Sequence, residues 1–242
     1  MAACAWFTPE DRSFFLVLAV KKRVLLIWGY SRLVYMSDFG KDFVRQLRNI
    51  AAHSSKACSL IEKQTDAICG ICREIDAAGS VHVYGKGRSG AVAVSLALRL
   101  KHFGYNTWFV GDIVKEGVKA KDVVILFSGS GETSDVVEVA ERAKGVGAKV
   151  VSITSFCESS LGKLSDIVVL LPGGLEKGRG WDYLTAQLGD LDDEELYGGG
   201  EFELYAFLLQ EAFLSALGRS KSISQGDVLE KHERDTVIRK RK

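Results

Sequence analysis

Neither sign of charge accumulates in this chain, and that absence is the first constraint on its function. Its 32 lysines and arginines stand against 31 aspartates and glutamates, a formal net charge of +1. A protein held to nucleic acid by bulk charge is therefore not expected. The closing Arg239-Lys-Arg-Lys242 reads as a solvated tail rather than a nucleic-acid contact. Cysteine is sparse as well: five residues, scattered and odd in number, suit a reducing cytoplasm better than a disulfide framework. Cys69 and Cys72 have metal or redox spacing, but no second pair accompanies them, and they fall in a helical stretch where small thiols pack. No metal site is expected. No apolar run reaches the roughly 20 residues that cross a bilayer. Residues 14–20 and 24–28 are apolar, but Lys21-Lys-Arg23 divides them. The order of charge and apolar core is also the reverse of a signal peptide's. No membrane association is expected.

What is present suffices for one full core: 242 residues, 47% of them hydrophobic, default to one domain. Residues 36–220 carry it, and residues 221–242 form a basic tail. Two readings of residues 1–35 stand, an extra N-terminal element or sequence taken in by an upstream start. The helical segment that begins near Met36 favours the second.

From Phe39 to Ala77 the apolar residues recur at helical spacing, as at Phe43, Leu47, Ile50 and then Ile61, Ile68, Ile71 and Ile75. After Gly79 the pattern changes to alternation. Strands are predicted at 80–84, 107–110, 122–127, 148–153 and 167–171, with helices at 89–103, 133–146, 159–164 and 202–217. The strands are unbroken Val/Ile/Leu runs, which indicates burial on both faces and a parallel sheet. The expected fold is a doubly wound, five-stranded parallel α/β sheet flanked by helices, a flavodoxin-like three-layer sandwich. Such sheets bind ligands at the carboxyl ends of their strands, where both glycine-rich loops fall.

The second of those loops, VVILFSGSGETS over residues 123–134, carries the chemistry. A buried strand breaks into a turn of hydroxyls and glycines and then opens a helix. Gly129 and Gly131 let the backbone approach a ligand, the helix amides point at an anion, and Ser128, Ser130 and Thr133 add hydroxyl donors. A helix cap alone would explain one hydroxyl, not three. This composition suits a phosphate held without a metal. The first loop, Gly85-Lys-Gly-Arg-Ser-Gly90, matches the dinucleotide fingerprint, with Asp112 placed for a ribose. A dinucleotide site has no use for the second loop, however, and Arg88 and Ser89 are donors aimed at an anion.

Gly87-Arg-Ser-Gly90 with Ser128-Gly-Ser-Gly-Glu-Thr133 resembles the SIS (sugar isomerase) domain. The likeness continues through Ala143-Lys144, Gly147-Ala-Lys-Val150, Glu158 to Leu164, Asp166 and Leu171-Pro-Gly173, and spans residues 38–218. Within that family the chain looks most like 6-phospho-3-hexuloisomerases, which interconvert 3-hexulose 6-phosphate and fructose 6-phosphate. Arg99-Leu-Lys-His102, Val110-Gly-Asp112 and Phe202-Glu203 carry that part of the resemblance. Where the family usually has Pro-Met-Gly-Ser/Thr before Phe-Glu, this chain has Tyr197-Gly-Gly-Gly-Glu201.

The resemblance implies an enediolate reaction without metal or organic cofactor, in which one base moves a proton between neighbouring carbons. It implies Glu203 as that base, with Glu201 as the nearby competitor, and His102 as the group that polarises a substrate oxygen. The phosphate would be held by Ser89, Ser128, Gly129, Ser130, Gly131 and Thr133, and Gly87 and Arg88 would contact the sugar. Glu132 is expected to bond backbone amides. The alternatives are a non-catalytic phosphosugar sensor and another isomerase of the family, such as one for arabinose 5-phosphate. Residues 173–200 are expected to act as a lid or subunit contact. The broad apolar surface of the last helix (Phe202, Tyr205, Ala206, Leu209, Phe213, Leu217) implies a homo-oligomer, dimer or tetramer, with sites shared between subunits.

Overall fold

Three apolar runs with polar breaks pair as strands at the amino end. Strands β1 (Ala3–Phe7), β2 (Phe14–Val20) and β3 (Arg23–Ile27) form an antiparallel sheet, with Ala3 opposite Leu18 and Leu16 opposite Ile27. The computed structural model describes residues 3–7, 14–20, 23–27, 30–174 and 200–235. It divides into two compact units, residues 1–54 and 55–242. Helix α1 (Tyr30–Ile61) runs unbroken through Met36, where the sequence placed the start of the domain.

The long helical stretch breaks once, at a 3-10 turn over Glu62–Gln64, before α2 (Thr65–Ala77). Gln64 accounts for the break. Its Nε2 donates to the Leu170 carbonyl at 2.8 Å and its Oε1 accepts from the Leu170 amide at 2.7 Å. The side chain thus stands in for a neighbouring strand at the sheet edge.

Alternation follows: β4 (Val81–Gly85), α3 (Gly87–His102), β5 (Thr107–Phe109), β6 (Val123–Phe127), α4 (Ser134–Gly145), β7 (Lys149–Thr154), α5 (Ser160–Leu164) and β8 (Ile167–Leu170). The strands form one parallel sheet in the order β5-β4-β6-β7-β8. Helices α6 (Glu201–Ser220) and α7 (Gln225–Asp235) close the described chain. Every residue of β6 is buried, as its unbroken apolar run requires. One face of the sheet, with Val83, Ile125 and Ile153, packs on Ile71 and Ile75 of α2, Val92 and Leu96 of α3, and Leu209 of α6. The other, with Val124, Leu126 and Val150, packs on Val136 and Ala140 of α4 and on Leu161 of α5. This is the predicted three-layer sandwich. Among the described residues no helix is long and apolar enough to cross a membrane.

Cys72 packs on the α2 side of the core, where burial pushes its thiol up, while Cys69 is exposed. The apolar residues that made α6 look too broad for one sheet face are buried or partly buried within the chain, and Phe207 and Leu208 are the large apolar side chains it leaves exposed.

Asp122 ties the amino edge of the sheet together. Its carboxylate accepts from the amides of Ser80 at 3.1 Å and Lys119 at 2.8 Å, and lies 3.2 Å from His82 Nε2. Replacing Asp122 by Ala strands two amides and a buried imidazole, and urea denaturation should show a loss of about 3 kcal/mol. His82 is fully buried, and burial pushes its imidazole below the ordinary value, opposed by the bond to Asp122. The unfolded chain therefore takes up this proton at higher pH than the folded one. Stability should be full above about pH 6.5 and fall as pH drops below it, a slope that a His82→Gln variant reduces in denaturation curves taken from pH 7 to 5.

Candidate active site

Strand β4 hands over to α3 through a turn that only glycine permits. A Cβ on Gly90 would lie 2.6 Å from the Gly85 carbonyl oxygen, and Gly87 has a φ of +56°. The first turn of α3 is thereby pressed onto the end of β4. Its leading amides, which lack partners within the helix, face the crevice beyond the sheet.

The second loop is built as tightly. Gly131 has a φ of +66°, and a Cβ there would lie 2.0 Å from Ser159 Oγ. Ser128 Oγ accepts from the Gly131 amide at 3.1 Å and lies 3.1 Å from Thr133 Oγ1. Ser130 Oγ accepts from the Glu132 amide at 3.2 Å. Thr133 occupies the cap position of α4, yet its side chain makes no capping bond and turns to Ser128 instead. Glu132 reaches away from the crevice, accepting from the Ser160 amide at 2.8 Å and the Ser160 hydroxyl at 2.7 Å. It holds the start of α5, the structural role expected of it. Lys86 joins the two loops through an exposed ion pair with Asp135 at 2.5 Å.

The last long helix enters from a third direction. Gly173 and Gly174 let the chain pass against the second loop: a Cβ on Gly174 would be 2.3 Å from the Gly129 carbonyl oxygen. Phe202, 1% exposed, lies against Gly129, where an added Cβ would stand 3.1 Å from its ring. Two positions along a helix face nearly opposite ways. Glu201 accordingly sits beside Gly173 and near Tyr205, where it adds to the burial that pushes the phenol up. Glu203 turns into the crevice. Its Oε1 accepts from Ser89 Oγ at 2.8 Å, and its Oε2 lies 3.9 Å from Arg88 Nε. The Glu203 side chain is 15% exposed and that of Arg88 is 61% exposed.

The structure thus brings together Gly87, Arg88, Ser89, the Ser128–Thr133 loop and Glu203. His102 is the exception. It ends α3, 13 residues beyond Ser89, which along a helix is about 20 Å. It is also buried by its own chain. Within one chain His102 does not reach Glu203, so a contact with the sugar would have to be made in the site of another copy. Its place in the last helical turn suits a structural role beside the dipole. Residues 175–199, read as a lid or contact, lie outside the described residues.

The dinucleotide reading loses its site. A pyrophosphate would lie at the start of α3, and the Glu203 carboxylate already stands there. Sequence reasoning missed this pairing because Ser89 and Glu203 are 114 residues apart and no local pattern links them.

Fold and site together define a doubly wound α/β protein with two glycine-rich loops at the switch point and a carboxylate bonded to the first of them. The family model for the SIS domain matches residues 74–189, and the chain belongs to that family. The 3-hexulose-6-phosphate isomerase of Mycobacterium gastri is 30% identical over 193 residues, covering 80% of this chain and 91% of its own. The protein of that name from Bacillus subtilis strain 168 is 32% identical over 161 residues, covering 66% of this chain and 82% of its own. Among solved structures, the sugar isomerase domain of the RpiR transcription factor from Sphaerobacter thermophilus shares the fold at 20% identity. Its TM-score is 0.59, over 79% of this chain and 97% of its own.

Gly131→Ala tests the second loop. The new methyl meets Ser159 in a backbone conformation that costs any L side chain, so about 3 kcal/mol of stability should be lost. Calorimetry should show the lowered melting point, and titration with inorganic phosphate a weakened affinity.

Proposed function

We infer that this protein is a cofactor-free sugar-phosphate isomerase interconverting 3-hexulose 6-phosphate and fructose 6-phosphate, a 6-phospho-3-hexuloisomerase. One observation carries the reading: a partly buried carboxylate, Glu203, is bonded to Ser89 of the first loop, and its neighbour Phe202 packs on Gly129 of the hydroxyl- and glycine-rich second loop. The two named relatives support the choice of sugar.

The phosphate lies in the Ser128–Thr133 loop, held by the hydroxyls of Ser128, Ser130 and Thr133, the Gly129 and Gly131 amides and the first amides of α4. Holding the phosphate at one end fixes the reacting carbons against the base at the other. Glu203 removes the proton from C2 of the 3-ketose, and the electron pair moves onto the C3 oxygen to give an enediolate. The developing oxyanion lies near the leading amides of α3 and the Arg88 guanidinium. Glu203 then returns the proton to C3, while the hydroxyl proton passes from the C2 oxygen to the C3 oxygen. Gly87 and Arg88 contact the sugar. A homo-oligomer in a reducing cytoplasm is part of this reading, and free thiols at Cys58, Cys69, Cys72 and Cys157 suit it.

A second reading, a phosphosugar sensor without turnover, is favoured by the fold shared with the sugar isomerase domain of a transcription factor. Incubation with fructose 6-phosphate in deuterated water, followed by NMR, separates the two. Deuterium in the carbon skeleton with a 3-ketose appearing is the expected result, and saturable binding without exchange supports the sensor. Exchange into arabinose 5-phosphate alone would replace the hexulose by a pentose. Glu203→Gln should lower turnover by about 10²–10⁴-fold and leave phosphosugar binding nearly intact.

A further inference from the structure

The resemblance assigned Ser89 to the phosphate, but the geometry gives its hydroxyl another partner. We propose that Ser89 is a positioning residue that holds the Glu203 carboxylate, leaving Oε2 as the oxygen that takes the proton. The proposal rests on Glu203 being the base.

A serine hydroxyl has one proton to donate. Ser89 gives it to Glu203 Oε1 at 2.8 Å, in a site where Ser89 is 8% exposed. Both ends of this bond are held rigidly. Ser89 sits in the helical turn that Gly85 and Gly90 press onto β4, since a Cβ on Gly85 would lie 2.8 Å from the Ser89 carbonyl carbon. Glu203 follows Phe202, which is fully buried against Gly129. The terminal torsion of a glutamate is otherwise broad and two-fold, so a free carboxylate presents either oxygen over a wide range of angles. The Ser89 bond removes that freedom. It leaves Oε2 on the side of Arg88, 3.9 Å from Nε. A base held this way meets the C–H bond at a set distance, and displacement on the scale of 1 Å is enough to cost up to 10²-fold in rate. The phosphate is then left to the Ser128–Thr133 loop, whose three hydroxyls suffice.

The test compares Ser89→Ala, Ser89→Thr and Glu203→Gln, with fructose 6-phosphate as substrate and inorganic phosphate as competing ligand. Ser89→Ala should lower kcat about 10- to 30-fold, with KM, the inhibition constant of phosphate and the melting temperature unchanged. Ser89→Thr, which keeps the hydroxyl, should restore most of kcat. If Ser89→Ala instead raises KM and weakens phosphate inhibition at unchanged kcat, Ser89 is a phosphate ligand and the proposal fails. A kcat loss that follows a lowered melting temperature, or that threonine does not rescue, overturns it too. Retained turnover in Glu203→Gln would instead remove the base, and the proposal with it. Lost turnover there, combined with either earlier failure, overturns the role of Ser89 alone.

Discussion

Because β4 has β5 on one side and β6 on the other, the helices that follow β4 and β6 leave on opposite faces of the sheet. The two loops therefore diverge above the sheet and leave a crevice between them. Everything at the site depends on that reversal. It sets two helix starts, each with unpaired amides, on either side of one space. It also leaves an opening through which a later part of the chain can enter. Helix α6 packs on the same sheet face as α3, so its first turn arrives at the mouth of this opening.

The two helix starts are alike in electrostatic character but not in what meets them. Each carries partial positive charge, worth about 0.3–1 kcal/mol to a neighbouring anion at the surface. At α3 the anion is supplied by the chain itself, as Glu203. At α4 the two carboxylates nearest in sequence are turned elsewhere, Glu132 to Ser160 and Asp135 to Lys86. One start is met by Glu203, and on the proposed function the other is left for a ligand anion. On the proposed function this asymmetry favours a phosphosugar over a dinucleotide and sets the phosphate apart from the reacting carbons.

Much of the fold was legible in the sequence because its strands are buried on both faces and its helices are bounded by glycine. Runs such as residues 123–127 admit few other structures. The 3-10 turn at Glu62–Gln64 was not legible, since the apolar spacing continues across it and its cause lies at Leu170, 106 residues away. Residues 1–35 were read as apolar segments and not as a hairpin sheet, because Lys21-Lys22 between the second and third strands has none of the glycine or asparagine of a two-residue turn. At the site, the hydroxyl loop could be read from composition, whereas Glu203 was reached only through resemblance. The bond from Ser89 to Glu203 was not legible, because that partner lies 114 residues along the chain. Helix length alone shows that His102, 13 positions beyond Ser89, cannot share its end of α3, so the role expected of it calls for a second copy.

The run Tyr197-Gly-Gly-Gly-Glu201, where this chain departs from the family's usual pattern, has a physical correlate at its described end. Gly200 stands at the cap position of α6 and makes no side-chain bond to the helix. A Cβ there would lie 2.7 Å from Arg88 Nη1, so the missing side chain is the space the guanidinium occupies. A serine or threonine at this position would cap α6 but push Arg88 off its first turn. The glycine thus gives up a cap to admit a cation beside Glu203 Oε2. That cation is largely exposed, so it is held loosely and costs little to redirect toward a sugar oxygen. The departure from the family pattern therefore changes what surrounds the Glu203 carboxylate while leaving that carboxylate in place.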